Sequence, residues 1–160
     1  MHMKTGVEQS VYATVLLHLL PDRAVLPGEA ISRQLGVSPT YFQKLLRKLV
    51  NAGVIVSVPG VKGGFKLKKK AEEITVYDIY TAIEGVRSLY EPNGVFGDML
   101  ELDEDAPCCI VEDLMKQAEE AWIGIMQQET IASLAEKLEE QRFQPHTANL
   151  KDWINEQITN

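Results

Sequence analysis

Two short apolar-periodic runs separated by three residues constrain this chain more than any other feature. The first spans about Gly28 to Leu35, with Ala30, Ile31 and Leu35 on one face, and Gly36 fits a C-terminal stop. The second starts at once: Ser38 is a natural N-cap, Pro39 suits the first helical position, and Phe42, Leu45, Leu46 and Leu49 recur at helical spacing until Ala52-Gly53. Two short helices joined by so tight a turn predict a helix-turn-helix. The runs "VIVSV" and "FKLKKK" flank the Gly-rich "PGVKGG", which predicts a β-hairpin, and a hairpin placed directly after a helix-turn-helix is a wing.

The flanking segments read as helices that close a core around this unit. Val11, Val15, Leu16 and Leu19 mark one face of a helix over Glu8 to Leu20, which must stop before Pro21. Thr75 caps a helix reaching Glu84, with Asp78 three residues on, Val76, Ile79, Tyr80 and Ile83 facing one way, and Gly85 closing it. Residues 87–107 combine Pro, Gly and acids without a period and read as an acidic loop. From Cys108 to about Glu140 the pattern predicts one long helix: Val111, Leu114, Ala118, Ala121 and Ile125 step by three and four, and Met115, Trp122 and Met126 widen the stripe. A stripe that broad needs two covering surfaces: the N-terminal domain and the same helix of a second subunit supply them in a two-fold dimer, and the alternative is a monomer that folds the helix wholly onto its own core. The tail from Arg142 breaks at Pro145 and resumes as a short helix through Leu150, Trp153, Ile154 and Ile158.

The expected fold class is therefore mainly α with a small β wing. A winged helix-turn-helix domain (3–86) is followed by the loop (87–107), a dimerisation helix (108–140) and the tail (141–160). Met1 and His2 are left out of the fold reasoning because Met3 is an equally good start.

At 160 residues, 45% of them hydrophobic, the chain can furnish a real core, and no apolar run approaches the roughly 18 residues of a membrane span. A soluble, cytoplasmic protein with reduced thiols and no membrane partner is expected. The net charge of −7 is unevenly placed: residues 1–70 hold 11 Lys and Arg against 3 Asp and Glu, whereas residues 71–160 hold 5 against 20. A basic half is joined to an acidic half. If the third helix buries Phe42, Leu45, Leu46 and Leu49, then Thr40, Gln43, Lys44, Arg47 and Lys48 fall on its opposite face. Gln pairs with adenine edges, Arg and Lys with guanine or phosphate, and Thr with a base edge or a thymine methyl. Lys62 at the hairpin turn and Lys66, Lys68, Lys69 and Lys70 on its return strand suit phosphate or minor-groove contacts. Double-stranded DNA is the partner this pattern fits. A basic half that binds an acidic protein is the competing reading. An enzyme is not expected, because the chain offers no Cys-His or Ser-His arrangement, no metal motif and no phosphate loop leading into a helix.

The stretch "ISRQLGVSPTYFQKLLRKLVNAGVIVSVPGVKGGFKLKKKAEEITVYDIYTAIEG", residues 31–85, closely resembles the DNA-binding region of the Rrf-two (Rrf2) family of bacterial winged helix-turn-helix regulators. The order of "SPTYFQKLL", "AGVIVSVPG", "GGFKL" and "ITVYDIYTAIEG" is specific as a set, and a weaker likeness runs to about Glu140. The resemblance implies a homodimeric transcription factor, often a repressor, with the third helix in the major groove and the wing turn in the minor groove. It implies that Thr40, Gln43 and Lys44 read bases, with Ser38, Tyr41, Arg47 and Lys48 beside them. The wing from Pro59 through Lys62, Gly63 and Gly64, with Lys66, would meet the backbone and the minor groove. Many relatives carry an arginine just before the wing glycines; Pro59 stands there, and Lys62 is the nearest substitute.

Cluster-binding members of that family use three cysteines between the capped helix and the long helix plus a fourth ligand. This chain has a vicinal pair, Cys108 and Cys109, and Glu8 reads as a helix-start acid, so no cofactor is expected and an iron–sulfur cluster least of all. The pair lacks chelating spacing for zinc, and His2, His18 and His146 are scattered. A disulfide between them is strained, since adjacent α-carbons sit about 3.8 Å apart where disulfides prefer about 4.4–6.8 Å. A helix N-terminus stabilises a thiolate, but Asp103, Glu104, Asp105, Glu112 and Asp113 oppose it. Two readings stay open: small residues packed at a helix start, or a thiol sensor. The effector is not legible.

Overall fold

The structure is a computed structural model that describes residues 3–103 and 109–159. The elements run α1 (Thr5–His18), α2 (Gly28–Gln34), α3 (Pro39–Asn51), β1 (Ile55–Val58), β2 (Gly64–Leu67), a 3-10 turn (Ala71–Glu73), α4 (Val76–Glu84), α5 (Val95–Leu100), α6 (Glu112–Gln128), α7 (Ile131–Lys137), a second 3-10 turn (Gln141–Phe143) and α8 (His146–Thr159). The fold is mainly helical with one two-stranded antiparallel sheet, and the helix-turn-helix and its wing stand where the sequence puts them. None of the described helices is long and apolar enough to cross a membrane.

α1 is the hub. Val7, Val11, Ala13, Val15, Leu16 and Leu17 are all buried, so it presents apolar surface to several neighbours instead of along one stripe. Its buried Ser10 and Thr14 hydroxyls donate to the carbonyls of Gly6 and Ser10, each at 2.7 Å, which removes the cost of burying them unpaired. Around α1 close Ile31, Phe42, Leu46, Leu49, Ile55, Ile79 and Ile131, with Ile154 of the tail helix completing the core.

The wing is tied into the domain by a contact that local patterning does not announce. β1 and β2 pair from Ile55 opposite Leu67 to Val58 opposite Gly64. Leu26, in the linker between α1 and α2, exchanges two backbone hydrogen bonds with Phe65, at 2.9 and 3.0 Å, and so gives β2 a second neighbour.

Three expectations need correction. The predicted helix over 108–140 is two helices: α6 ends at Gln128, Glu129 is extended, and Thr130 starts α7 through a capping box with Ser133. The break allows residues 129–131 to pair with residues 74–76, Val76 donating to the Glu129 carbonyl and Ile131 to that of Ile74, both at 2.9 Å. The loop over 87–107 contains the short helix α5, opened by Gly94 in the left-handed region that glycine tolerates. Ser38 occupies the N-cap position of α3, but its side chain makes no capping hydrogen bond. By contrast Thr75 and Asp78 form the expected capping box, with bonds of 3.0 and 2.8 Å.

At the α6–α7 junction the Lys137 ammonium reaches both Glu129 carboxylate oxygens at 3.1 Å, and the Ser133 hydroxyl donates to one of them at 2.9 Å. The lysine first, and then the hydroxyl, hold the Glu129 carboxyl below the ordinary glutamate range. A depressed carboxyl stabilises the fold at neutral pH and loses that contribution as pH falls through its folded pKa. Glu129→Gln is therefore expected to unfold at lower urea than the parent at pH 7, and the difference is expected to shrink as pH falls through the lowered folded pKa of Glu129. Urea midpoints against pH measure this; a pH-independent difference would assign the effect to packing instead.

Candidate nucleic-acid interface

α3 divides its residues cleanly. Phe42, Leu45, Leu46 and Leu49 are buried, while Ser38, Thr40, Tyr41, Gln43, Lys44, Arg47 and Lys48 are exposed. Thr40, Gln43, Lys44 and Arg47 follow one another at helical i, i+3, i+4 and i+7 spacing, so the fold gathers an amide, a hydroxyl and two cations on one ridge. The ion pairs of the described residues engage Lys4, Arg33, Lys137, Arg142 and Lys151 and leave Lys44, Arg47, Lys62 and Lys66 uncompensated. Uncompensated, exposed cations are what a polyanion attracts.

The remaining predicted residues divide by role. The Tyr41 hydroxyl packs on Gly6 of α1, where an added Cβ would stand 2.8 Å from it. Lys48 turns away from the ridge and donates to the Ile83 carbonyl of α4 at 2.5 Å. At the wing tip Pro59, Gly60, Val61 and Lys62 are exposed, Val61 completely. Gly60 has φ +116°, and its carbonyl accepts from Gly63 at 2.9 Å. Gly63 and Gly64 meet protein backbone, where no side chain fits: a Cβ on Gly63 would lie 2.3 Å from the Val58 carbonyl oxygen and one on Gly64 2.6 Å from that of Leu26. Lys66 is half-buried on β2, and Lys68, Lys69 and Lys70 are exposed beyond it.

Gln43 has a neighbour that the helical pattern does not disclose. A Cβ on Gly28 would stand 3.0 Å from the Gln43 side-chain nitrogen and equally close to Leu46 and Phe65, so the first residue of α2 is small where α3 and the wing converge.

Cys108 lies outside the described residues. Cys109 is half-buried ahead of α6, with its sulfur 2.9 Å from the Tyr90 hydroxyl. Both line a cavity of about 230 Å³ walled by Val95, Phe96, Met99 and Ile110. Tyr90 carried no sequence signal. Among the described residues no group of three or more His, Cys, Asp and Glu gathers as a metal site. With two cysteines in the chain, the donors do not match the four ligands that iron–sulfur clusters take.

Comparison with known proteins agrees with this arrangement. The Rrf2 family model, described as an iron-dependent transcriptional regulator, matches residues 3–137. The Bacillus subtilis protein YwgB, which carries the name of an HTH-type transcriptional regulator, is 39% identical over 158 residues, covering 99% of this chain and 97% of its own. YffB of Lactococcus lactis, named likewise, is 30% identical over 98% of this chain and 99% of its own. The oxidised form of Staphylococcus aureus CymR superposes with a TM-score of 0.65 at 26% identity, covering 85% of this chain and 97% of that one. A helix-turn-helix with a bare cationic ridge, a wing bridged to it and a family match from the first helix through α7 have one meaning: the chain belongs to the Rrf2 family of transcriptional regulators.

Proposed function

We propose that this DNA-binding transcriptional regulator acts as a cytoplasmic homodimeric repressor that inserts α3 into the major groove and works without an iron–sulfur cluster. As a regulator it is not an enzyme. The observation that carries the reading is the exposed ridge of Thr40, Gln43, Lys44 and Arg47, whose cations, like those of the wing lysines, have no ion-pair partner among the described residues. In this docking Gln43 and Thr40 address base edges, Lys44 and Arg47 address guanine or phosphate, and Lys62 and Lys66 contact the backbone. The dimer is supported by α6 and its N-cap residue Val111, where Val111, Leu114, Ala118, Ala121 and Ile125 remain exposed while Met115, Trp122 and Met126 turn inward. Leu114 and Ile125 are 64% and 67% exposed, a covering that a second copy of the same helix supplies. A response to thiol oxidation at Cys108 or Cys109 is supported by the half-buried Cys109 sulfur against Tyr90 and by a relative solved in an oxidised form.

Selection of bound fragments from random DNA tests the reading. The expected product is an inverted repeat with half-sites about one helical turn apart; a single half-site would remove the dimer, and no consensus would remove the regulator reading. On the selected operator, Gln43→Ala is expected to narrow the preference for the cognate base by roughly tenfold, as the loss of about 1–3 kcal/mol of discrimination implies. Lys66→Ala is expected to weaken all sequences alike. Fluorescence anisotropy on cognate and substituted duplexes measures both.

A second reading has its own observation. An apolar groove of about 490 Å³ runs between α1 and the α6–α7 segment, with Val11, Tyr12, Val15, Ile125, Leu134 and Phe143 in its walls. Its size suits a small ligand, so the regulator would answer to that ligand, or to a protein partner, without thiol sensing.

A further inference from the structure

We infer that Lys48 is a positioning residue that sets the angle of the reading helix by binding the end of α4, and that it is not itself a DNA ligand. The inference rests on the proposal that α3 reads DNA and assigns one of its cations a different task. By spacing alone Lys48 belongs with the ridge, since it follows Lys44 by four residues and Arg47 by one. Its ammonium instead donates to the carbonyl of Ile83 in the last turn of α4.

The chemistry of that carbonyl explains the contact. Carbonyls in the last turn of a helix lack intrahelical donors, and the negative end of the helix dipole favours a cation there. Lys48 meets both needs. It also joins α3 to α4 near the C-terminal end of each, and a contact at the end of a helix controls its tilt more than one at its middle. The same end of α4 receives a second cation, because Lys4, the N-cap residue of α1, pairs with Glu84.

The rest of α4 is held independently. Tyr80 meets Trp122 of α6 edge-on at 4.7 Å and 82°, and Tyr77 meets the same ring edge-on at 6.5 Å. At the other end of α3 the Tyr41 hydroxyl lies on Gly6, in the region where Leu45 and Ile83 also approach that glycine. α3 is thus referenced to α4 by Lys48 and to α1 by Tyr41, with α4 itself referenced to α6.

Salt dependence separates a positioning lysine from a phosphate ligand. Each phosphate contact contributes about 0.9 to the log–log salt slope of duplex binding, whereas a residue that only orients the helix contributes nothing to it. With the selected operator and a random duplex as probes, Lys48→Met is expected to lower the operator-over-random preference about tenfold while leaving the slope unchanged. Arg47→Met is expected to flatten the slope by about 0.9. Lys48→Arg, whose guanidinium can donate to the same carbonyl, is expected to return the preference to within about twofold of the parent. The binding series is run at 10 °C with folding checked by circular dichroism, so that a loss through unfolding shows as lost ellipticity. A slope flattened by about 0.9 in Lys48→Met, an unchanged preference, a loss that tracks ellipticity, or no rescue by arginine would each overturn the assignment. A parent protein that shows no preference for any sequence would instead overturn the DNA-reading proposal.

Discussion

Gly64→Val is expected to lower the stability of the domain by about 3 kcal/mol, because the wing can no longer approach the linker before α2. The first atom added to Gly64 would stand 2.6 Å from the Leu26 carbonyl oxygen and 2.7 Å from its carbon. Those atoms are backbone and cannot rotate aside as a flexible side chain would. To relieve the overlap the chain must separate Leu26 from Phe65 and give up their two hydrogen bonds, leaving a buried donor and acceptor unpaired. Leu26 is itself fully buried, so the separation also loosens the core. Urea unfolding is the measurement, and a midpoint within error of the parent would show that the wing can shift at little cost. DNA affinity is expected to fall with it, because the wing lysines then lose their fixed place relative to α3.

Phe42→Ala is expected to cost about 3–5 kcal/mol, the range for removing a fully buried aromatic ring. Phe42 is 0% exposed and is the largest fully buried side chain of the described residues. It directly precedes Gln43, so the ring that anchors α3 is adjacent to a residue proposed to meet DNA. Since domains of this size hold about 5–15 kcal/mol in all, the loss is a large fraction of the total. The urea midpoint is expected to fall by roughly a fifth or more, and operator binding is expected to persist only under conditions where the variant remains folded. A loss under about 1 kcal/mol would mean that the core refills the cavity around α3.

These two residues show where the sequence was legible. Phe42 could be placed in the core because Phe42, Leu45, Leu46 and Leu49 repeat with the period of a helix, and its polar complement followed from the same geometry. The Thr75–Asp78 capping box was readable for the same reason, since both partners belong to one turn. Gly64, in contrast, belongs by local pattern to the DNA-contacting wing. Its need to be glycine comes from Leu26, a residue 38 positions earlier. By spacing Lys48 belongs to the ridge, because a helical wheel gives direction but not what stands there, and Ile83 stands there. The same holds for the long helix over 108–140: the apolar steps continue through the region, but pairing of 129–131 with 74–76 interrupts it.

What the sequence determined by itself was therefore the kind of each segment: helix, turn, hairpin, buried face and charged face. Those properties are set by interactions among residues three, four or two apart, which a reader of the chain sees directly. The asymmetry of charge between the two halves belongs to the same class, because it needs no coordinates. Only the tertiary structure decided that β2 has Leu26 as a second neighbour, that α6 stops where Glu129 meets Val76, and that Lys48 serves α4. Each of these joins backbone groups or side chains far apart in sequence. The hydrogen-bonding demand of a carbonyl or an amide is the same in every residue, so its partner is selected by which segments the packed core brings within reach.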